Sequence, residues 1–199
     1  MQSYLMKFNT ISLLSLLIYE IQIDLKKNIN IQKASTAILA IAGTQYAVSS
    51  YLYNKYPKIS EEIRYIDWIL TTPLLLYTYW KLANENGYKS NFMYLAGAVV
   101  LMVVLGYLAE DGENSQKWFM ISMLPYLYIL YEILNIQKMF NNKKMTEHSR
   151  LGNFFIYGWA IYPAAFYAPD TYKYILYSLG DFVNKGVYSI MLYNILKKE

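Results

Sequence analysis

Cysteine is absent from the 199-residue chain, which excludes disulfides, thiolate metal sites and thiol nucleophiles. Histidine is nearly absent: His148 lies in the polar stretch NNKKMTEHSR, which predicts a solvated loop side chain rather than a metal ligand or a base. Charged residues are also scarce, at 16% against roughly 25% in soluble domains. Because apolar residues make up 56% of the chain, the composition predicts a protein embedded in a lipid bilayer.

The net charge of +4 raises the question of a nucleic-acid partner. The basic residues are scattered through short polar stretches and are not gathered on one face, so we expect no nucleic-acid binding. The sequence also supports no metal or nucleotide site, and we expect no enzymatic activity. Membrane topology explains the basic residues better.

Seven apolar stretches of about 20 residues are each long enough to cross a bilayer as a helix. They cover residues 4–24, 34–54, 62–82, 91–109, 117–138, 151–168 and 172–196. The first contains Lys7 and has no small-residue cleavage site, so it is predicted to be a retained span and not a signal peptide. The sequence therefore predicts an all-α, multi-pass bundle of seven transmembrane helices with short loops, forming a single domain over residues 1–199.

Basic residues predict how this bundle is oriented. With the N-terminus outside, the cytoplasmic segments hold Lys26, Lys27, Lys33, Lys81, Lys89, Lys138, Lys143, Lys144, Arg150, Lys197 and Lys198. The outer segments hold Lys7, Lys55, Lys58, Lys117 and Lys173. The excess of positive charge on the first set predicts an extracellular N-terminus and a cytoplasmic C-terminus.

The third stretch, EEIRYIDWILTTPLLLYTYW, carries polar residues at helical spacing. Arg64, Asp67, Thr71 and Thr78 are separated by three, four and seven residues, so they face roughly one direction. Ionisable residues a turn apart inside a membrane span indicate a functional site. An Arg64–Asp67 ion pair that only stabilises the bundle is the alternative.

The seventh stretch, LYSLGDFVNKGVYSIMLYNIL, places Asp181 and Lys185 four residues apart on one helix face. A buried ammonium is costly in a membrane, and the neutral amine condenses with an aldehyde. The pair therefore suggests a Schiff base with a carboxylate counterion. A plain ion pair that locks two helices together is the alternative.

Three separated motifs resemble the microbial (type 1) rhodopsins: RYIDWILTTPLLL in the third stretch, RLGNFFIYGWAIYP in the sixth and LGDFVNK in the seventh. The segments GWAIYP and DFVNK are most similar to proteorhodopsins. The small size, the short loops and the bias toward Tyr, Ile, Asn and Lys also resemble rhodopsins encoded by giant viruses. The resemblance implies a photoactive membrane protein with all-trans retinal bound covalently to Lys185.

The same resemblance implies roles for the polar residues and for the pocket. Asp67 would be the counterion and proton acceptor, Asp181 the second counterion, Arg64 the extracellular gate, and Thr71 a hydrogen-bond partner of Asp67. The implied retinal pocket consists of Tyr46, Trp68, Leu75, Met102, Gly106, Phe119, Ser122, Trp159, Tyr162 and Pro163. Tyr46 would also bond the second carboxylate, and Leu75, at the colour-tuning position, implies green rather than blue absorption.

Departures from the family pattern bear on mechanism. Thr78 stands where proton-pumping relatives have a carboxylate that reprotonates the Schiff base, and a threonine cannot donate a proton at physiological pH. Glu132 on the fifth stretch is a candidate substitute donor. Gln45 replaces the histidine of proteorhodopsins, and Lys173 stands where bacteriorhodopsin has a release glutamate, so the release group is not identified.

Several functions are compatible with this pattern. A light-driven outward proton pump is favoured because acceptor, second counterion and gate are all present. A light-gated cation channel or a photosensor with a slow photocycle is the alternative, favoured by Thr78, and a structural bundle without photoactivity is the third. Anion or sodium pumping is disfavoured. Relatives form trimers or pentamers, so a homo-oligomer is expected.

Overall fold

In a computed structural model, residues 2–22, 29–53, 55–110 and 113–198 are described, and they form an all-α bundle of seven helices. The first five helices are Gln2–Ile21, Ile29–Leu52, Pro57–Glu85, Phe92–Glu110 and Ser115–Asn142. The sixth joins Thr146–Asn153, Phe154–Gly158 and Ile161–Phe166, and the seventh joins Asp170–Asp181, Phe182–Val187 and Tyr188–Leu196. The prediction of an all-α seven-helix bundle is confirmed.

Contacts between helix termini define two ends of the bundle. At the N-terminal end, where the first helix begins, the Tyr53 hydroxyl donates to Gln2 Oε1 over 2.7 Å. At the C-terminal end, Lys143 Nζ donates to the Asn86 carbonyl over 2.5 Å. The third helix runs from the N-terminal to the C-terminal end, and the fourth returns.

The sixth and seventh helices each contain a π-helical turn, over Phe154–Gly158 and Phe182–Val187. The two turns face each other, and a Cβ added at Gly158 would overlap the side chain of Asn184. A glycine is therefore required for this close approach. Lys185 lies within the second π turn, and such turns occur frequently at functional sites.

Around a hydrophobic core, the bundle exposes many large apolar side chains and buries several ionisable ones. Leu124, Leu127 and Leu134 on the fifth helix are 53–68% exposed, whereas Asp67 and Lys185 are each 1% exposed. Large apolar surfaces of this kind mark contact with lipid or other apolar partners. Among the described residues, Phe92–Glu110 and Ser115–Asn142 also meet length and composition criteria for membrane spans.

The second, third and fifth helices are longer than the apolar stretches that predicted them. The second begins at Ile29 rather than at 34, and the fifth reaches Asn142 rather than ending at 138. Polar residues continue each helix beyond its apolar part, and hydropathy does not detect that continuation. Pro73 lies inside the third helix.

The prediction that His148 is a solvated loop side chain is wrong. His148 is only 9% exposed and belongs to the helical segment Thr146–Asn153. Its ring lies 5.0 Å from the ring of Phe140 on the fifth helix. The neighbours of His148 in the sequence are polar, so the sequence indicated an exposed side chain. The structure buries it because the segment packs one face of its first turn against the fifth helix.

The close contact between the π turns predicts that a side chain added at Gly158 destabilises the protein. Gly158→Ala should destabilise the protein by about 1–3 kcal/mol, because the new methyl group would displace the buried Asn184. Gly97→Ala is the matched control, since a Cβ there would meet nothing within 4 Å. Thermal denaturation in detergent measures both variants, and equal midpoints would show that the π turns can separate without cost.

Candidate functional site

Lys185 is the centre of the candidate site. Its ammonium forms an ion pair with Asp67 Oδ2 on the third helix and lies 3.4 Å from Asp181 Oδ1 on its own helix. All three side chains are at most 1% exposed. The sequence left two interpretations of Lys185 open: an ion pair that locks two helices together, or an amine that lies beside its carboxylate counterion. Both interpretations predict a contact between Lys185 and a carboxylate.

Asp181 is held by three neutral donors in addition to Lys185. The Tyr46 hydroxyl donates to Oδ2 over 2.7 Å, and the Trp68 indole and the Tyr162 hydroxyl each donate to Oδ1 over 2.9 Å. These donors come from the second, third and sixth helices. Such hydrogen bonds offset part of the cost of burying a carboxylate, so these three donors hold Asp181 in place beside Lys185.

Asp67 has a much sparser environment. Its Oδ2 contacts Lys185, whereas its Oδ1 is buried without a hydrogen-bond partner. Thr71 Oγ1 donates over 2.9 Å to the main-chain carbonyl of Asp67. Asp67 therefore has one carboxylate oxygen available to receive a proton.

Arg64 lies one turn before Asp67, toward the N-terminal end, and is 3% exposed. Its guanidinium carbon is 5.0 Å from the ring centroids of both Tyr174 and Tyr177 and 6.0 Å from that of Trp68. Cation–π contacts of this kind stabilise a desolvated cation. Arg64 thus separates the Lys185 cluster from the N-terminal end.

A cavity of about 770 Å³, including its opening, adjoins the Lys185 cluster. Nine of the ten predicted pocket residues line it, and Tyr46 instead bonds Asp181. Those nine are Trp68, Leu75, Met102, Gly106, Phe119, Ser122, Trp159, Tyr162 and Pro163. Lys185 also lines the cavity, so the amine opens onto an apolar, aromatic space.

The sequence did not predict seven further wall residues. They are Tyr65, Thr72, Val103, Met123, Tyr126, Phe166 and Tyr177. Most lie a few residues from a predicted wall residue on the same helix, so helical spacing could have extended the set. Tyr177 could also have been found, since it lies one turn before Asp181.

Glu110 is a partly buried carboxylate that the sequence analysis did not single out. It ends the fourth helix and accepts hydrogen bonds from Tyr65 and Tyr177 over 2.8 and 2.9 Å. Lys173 forms an ion pair with its other oxygen. Because Tyr177 also contacts Arg64, this cluster connects Arg64 with the N-terminal end.

Thr78 and Glu132 occupy the other half of the bundle. Thr78 is fully buried, and its hydroxyl lies 2.7 Å from both the Leu75 carbonyl and the Tyr188 hydroxyl. Glu132 is partly buried and accepts a hydrogen bond from Tyr88 over 3.0 Å. Tyr88 lies in the link between the third and fourth helices, so Glu132 is bonded to a residue at the C-terminal end of the bundle.

Comparison with known proteins identifies the family. The family model described as "Bacteriorhodopsin-like protein" matches residues 2–199. The chain belongs to this family. It is therefore an integral membrane protein, consistent with its exposed apolar helix faces, and the microbial rhodopsin resemblance is confirmed.

Relatives of this family differ widely in sequence and share the fold. The chain is 29% identical over 153 residues to a green-light absorbing proteorhodopsin of Gamma-proteobacterium EBAC31A08, covering 68% of this chain and 61% of the relative. The solved structure of xanthorhodopsin, a light-driven ion pump with dual chromophore, is 21% identical with a TM-score of 0.86, over 99% of this chain and 92% of that one. The solved structure of a light-driven proton pump from Leptosphaeria maculans is 18% identical to this chain. Its TM-score is 0.83, over 99% of this chain and 94% of that one.

The hydrogen bonds around the two carboxylates predict unequal costs for neutralising them. Asp181→Asn and Asp67→Asn each remove one negative charge beside Lys185, but the asparagine amide at 181 also leaves at least one of its three donors unpaired. Asp181→Asn should therefore cost roughly 1–3 kcal/mol more than Asp67→Asn. Thermal denaturation of the retinal-free variants in detergent measures the difference, and equal losses would contradict it.

Proposed function

We propose that this bacteriorhodopsin-like protein binds retinal covalently at Lys185 and works as a light-driven outward proton pump. The observation that carries the proposal is the position of Lys185, which opens onto an aromatic cavity while it contacts Asp67 and lies 3.4 Å from Asp181. A plain ion pair between helices would not require such a cavity. The chain spans 61% of the length of the green-light relative, so its activity stands here as a proposal.

The residues of the site fit retinal. The walls of the cavity are mainly aromatic and aliphatic, which suits an apolar polyene, and the Lys185 amine lies among them. Trp68, Trp159 and Tyr162 would hold the polyene, and Phe119 stacks on Phe166 at 4.2 Å to close the wall near Ser122. Leu75, which is 2% exposed, supplies an apolar neighbour and supports green absorption.

Bound retinal would supply light absorption and an isomerisation that moves the Lys185 nitrogen relative to its carboxylates. The chain itself determines where the proton goes. Asp67 contacts the nitrogen and keeps one oxygen without a partner, so Asp67 is the acceptor. Three donors already occupy the oxygens of Asp181, which therefore serves as the second counterion rather than as the acceptor.

Arg64 and the Glu110 cluster provide the route from Asp67 toward the N-terminal end. Arg64 lies one turn away from Asp67, and Tyr177 touches both the guanidinium and Glu110. Protonation of Asp67 reduces the negative charge that Arg64 faces, which favours movement of Arg64 toward Glu110. With the N-terminus outside, as the basic residues predict, the proton leaves the cell.

A light-gated cation channel or a photosensor is the second candidate. The specific observation in its favour is the neutral pair of Thr78 and Tyr188, which replaces a donor carboxylate with two hydroxyls. A slow return of the proton would prolong an open or signalling state. The trimer or pentamer implied by the resemblance stays a prediction, and an enzymatic activity is not part of the proposal.

The chromophore site gives the first test of this function. Wild-type protein mixed with all-trans retinal should become coloured, and Lys185→Ala should stay colourless because the variant lacks the buried amine. Lys81→Ala is the control, since Lys81 pairs with Glu85 near the surface. Borohydride reduction followed by peptide mapping locates the attachment, and retinal found on another lysine would overturn the assignment.

The direction of ion movement gives the second test. Under voltage clamp with no driving force, illumination should produce an outward current that keeps its sign when ion gradients are reversed. Asp67→Asn should reduce it about 100-fold, because the nearest proton acceptor is lost. Glu132→Gln serves as the carboxylate control, and a current that reverses with the gradients would identify a channel.

A further inference from the structure

Glu20 is a buried carboxyl group that the mechanism above does not use. It lies in the last turn of the first helix, near the C-terminal end, and is 5% exposed. Ser35 Oγ lies 2.9 Å from its Oε1, and Thr36 Oγ1 lies 3.3 Å from its Oε2. A carboxyl inside a membrane bundle is costly, so its retention calls for a function.

The partners of Glu20 are neutral. Ser35, Thr36 and Gln32 face it from the second helix, with Gln32 Nε2 bonding its main-chain carbonyl over 3.3 Å, while the adjacent Lys33 is exposed. Among residues 2–22, 29–53, 55–110 and 113–198, no cation forms an ion pair with it. Hydroxyls both donate and accept, so this environment suits the acid as well as the carboxylate.

A second hydroxyl extends the contact toward Lys185. Ser35 Oγ lies 3.1 Å from Ser189 Oγ on the seventh helix, and both serines are at most 3% exposed. The single proton of Ser35 cannot serve Glu20 and Ser189 together. When Glu20 is ionised, Ser35 donates to it; when Glu20 is protonated, the acid donates to Ser35, which then donates to Ser189.

Ser189 lies one helical turn beyond Lys185, about 6 Å along the helix axis. The Lys185 nitrogen extends the other way, toward Asp181, so a chain of more than one ordered water is needed to join it to Ser189. Toward the third helix, the residue next to Ser189 is Tyr188, which hydrogen-bonds Thr78. Neither hydroxyl is acidic enough to supply a proton at neutral pH. Glu20 is thus connected to the side of Lys185 that faces away from Arg64.

We propose that Glu20 is the internal proton donor that returns a proton to the Lys185 nitrogen through Ser35 and Ser189, in place of the carboxylate missing at Thr78. This inference rests on the proposed pump. The Glu20 acid gives its proton to Ser35, Ser35 passes its own to Ser189, and Ser189 passes its own through water to the nitrogen. Glu20 is left as a carboxylate and regains a proton from solvent at the C-terminal end.

The first experiment uses the protein without retinal. A donor must be protonated at rest, so the infrared spectrum at neutral pH should contain a carboxylic acid C=O band that Glu20→Gln removes. Ser35→Ala should shift this band because the acid loses its nearest hydrogen-bond partner. Glu132→Gln is the matched control and should leave it unchanged, and a spectrum in which Glu20 contributes only carboxylate bands would overturn the inference.

The second experiment follows the light cycle by flash photolysis after retinal is bound. Glu20→Gln should slow reprotonation of the nitrogen roughly 100-fold and make its rate proportional to the external proton concentration. Ser35→Ala and Ser189→Ala should slow it to a lesser degree, and Glu132→Gln should not. Azide, a small weak acid, should restore the rate in Glu20→Gln, which a merely structural defect would not allow.

The outcomes separate this inference from the proposed function. Failure of the wild type to bind retinal would overturn the pump and with it this donor. A wild type that binds retinal and pumps, with unchanged reprotonation in Glu20→Gln, would overturn the Glu20 assignment alone. Slowing in Glu132→Gln in place of Glu20→Gln would transfer the role to the fifth helix.

Discussion

The site depends on one ammonium that two carboxylates stabilise inside an apolar bundle. A single buried charge would be prohibitively costly in a membrane, and the pairing offsets that cost only when the remaining polar atoms are also bonded. Lys185 comes from the seventh helix, Asp67 from the third, and the donors to Asp181 from the second, third and sixth. The electrostatic requirement of one residue therefore fixes how four helices meet.

The residues that stabilise Asp181 are also part of the cavity wall. Trp68 and Tyr162 donate to the carboxylate through their polar atoms and present their rings to the cavity, with their centroids 5.0 Å apart. A molecule that fills the cavity therefore contacts the same side chains that set the charge balance. Trp68 and Tyr162 thus couple the shape of the cavity to the charge of Asp181. No further residue is needed, because an aromatic side chain with a polar atom can line the cavity and bond the carboxylate at once.

Sequence patterns predicted this arrangement unevenly. Lys185, Asp67 and Arg64 were identifiable because charges inside apolar stretches are rare, and the seven helices followed from hydropathy. The π turns were not predicted, because the one extra residue in such a turn does not visibly change the spacing of the apolar residues. Gly158, where the two turns approach each other, is the residue in the sequence that points to them. His148 was missed because it lies near a helix end among polar neighbours, where burial depends on how the next helix packs. Glu20 was missed although it lies inside the first apolar stretch, because a lone carboxylate near the end of a span has no motif that separates it from a side chain reaching the membrane surface. The Glu110 cluster needed the fold, which brings together residues from three helices.

The two halves of the bundle differ in the polar groups that they contain, and this difference bears on the direction of the proposed proton movement. Toward the N-terminal end, Arg64 contacts Tyr177, Tyr177 bonds Glu110, and Glu110 pairs with Lys173, so ionisable side chains continue from the site to that end. Toward the C-terminal end, the groups around Thr78 and Ser189 are neutral hydroxyls, and a proton can cross only if an acid supplies it. In the proposed pump, charge would therefore separate easily on one side of Lys185 and only through an acid on the other. That asymmetry, more than the identity of any one acceptor, would give a motion at Lys185 its single direction of proton transport.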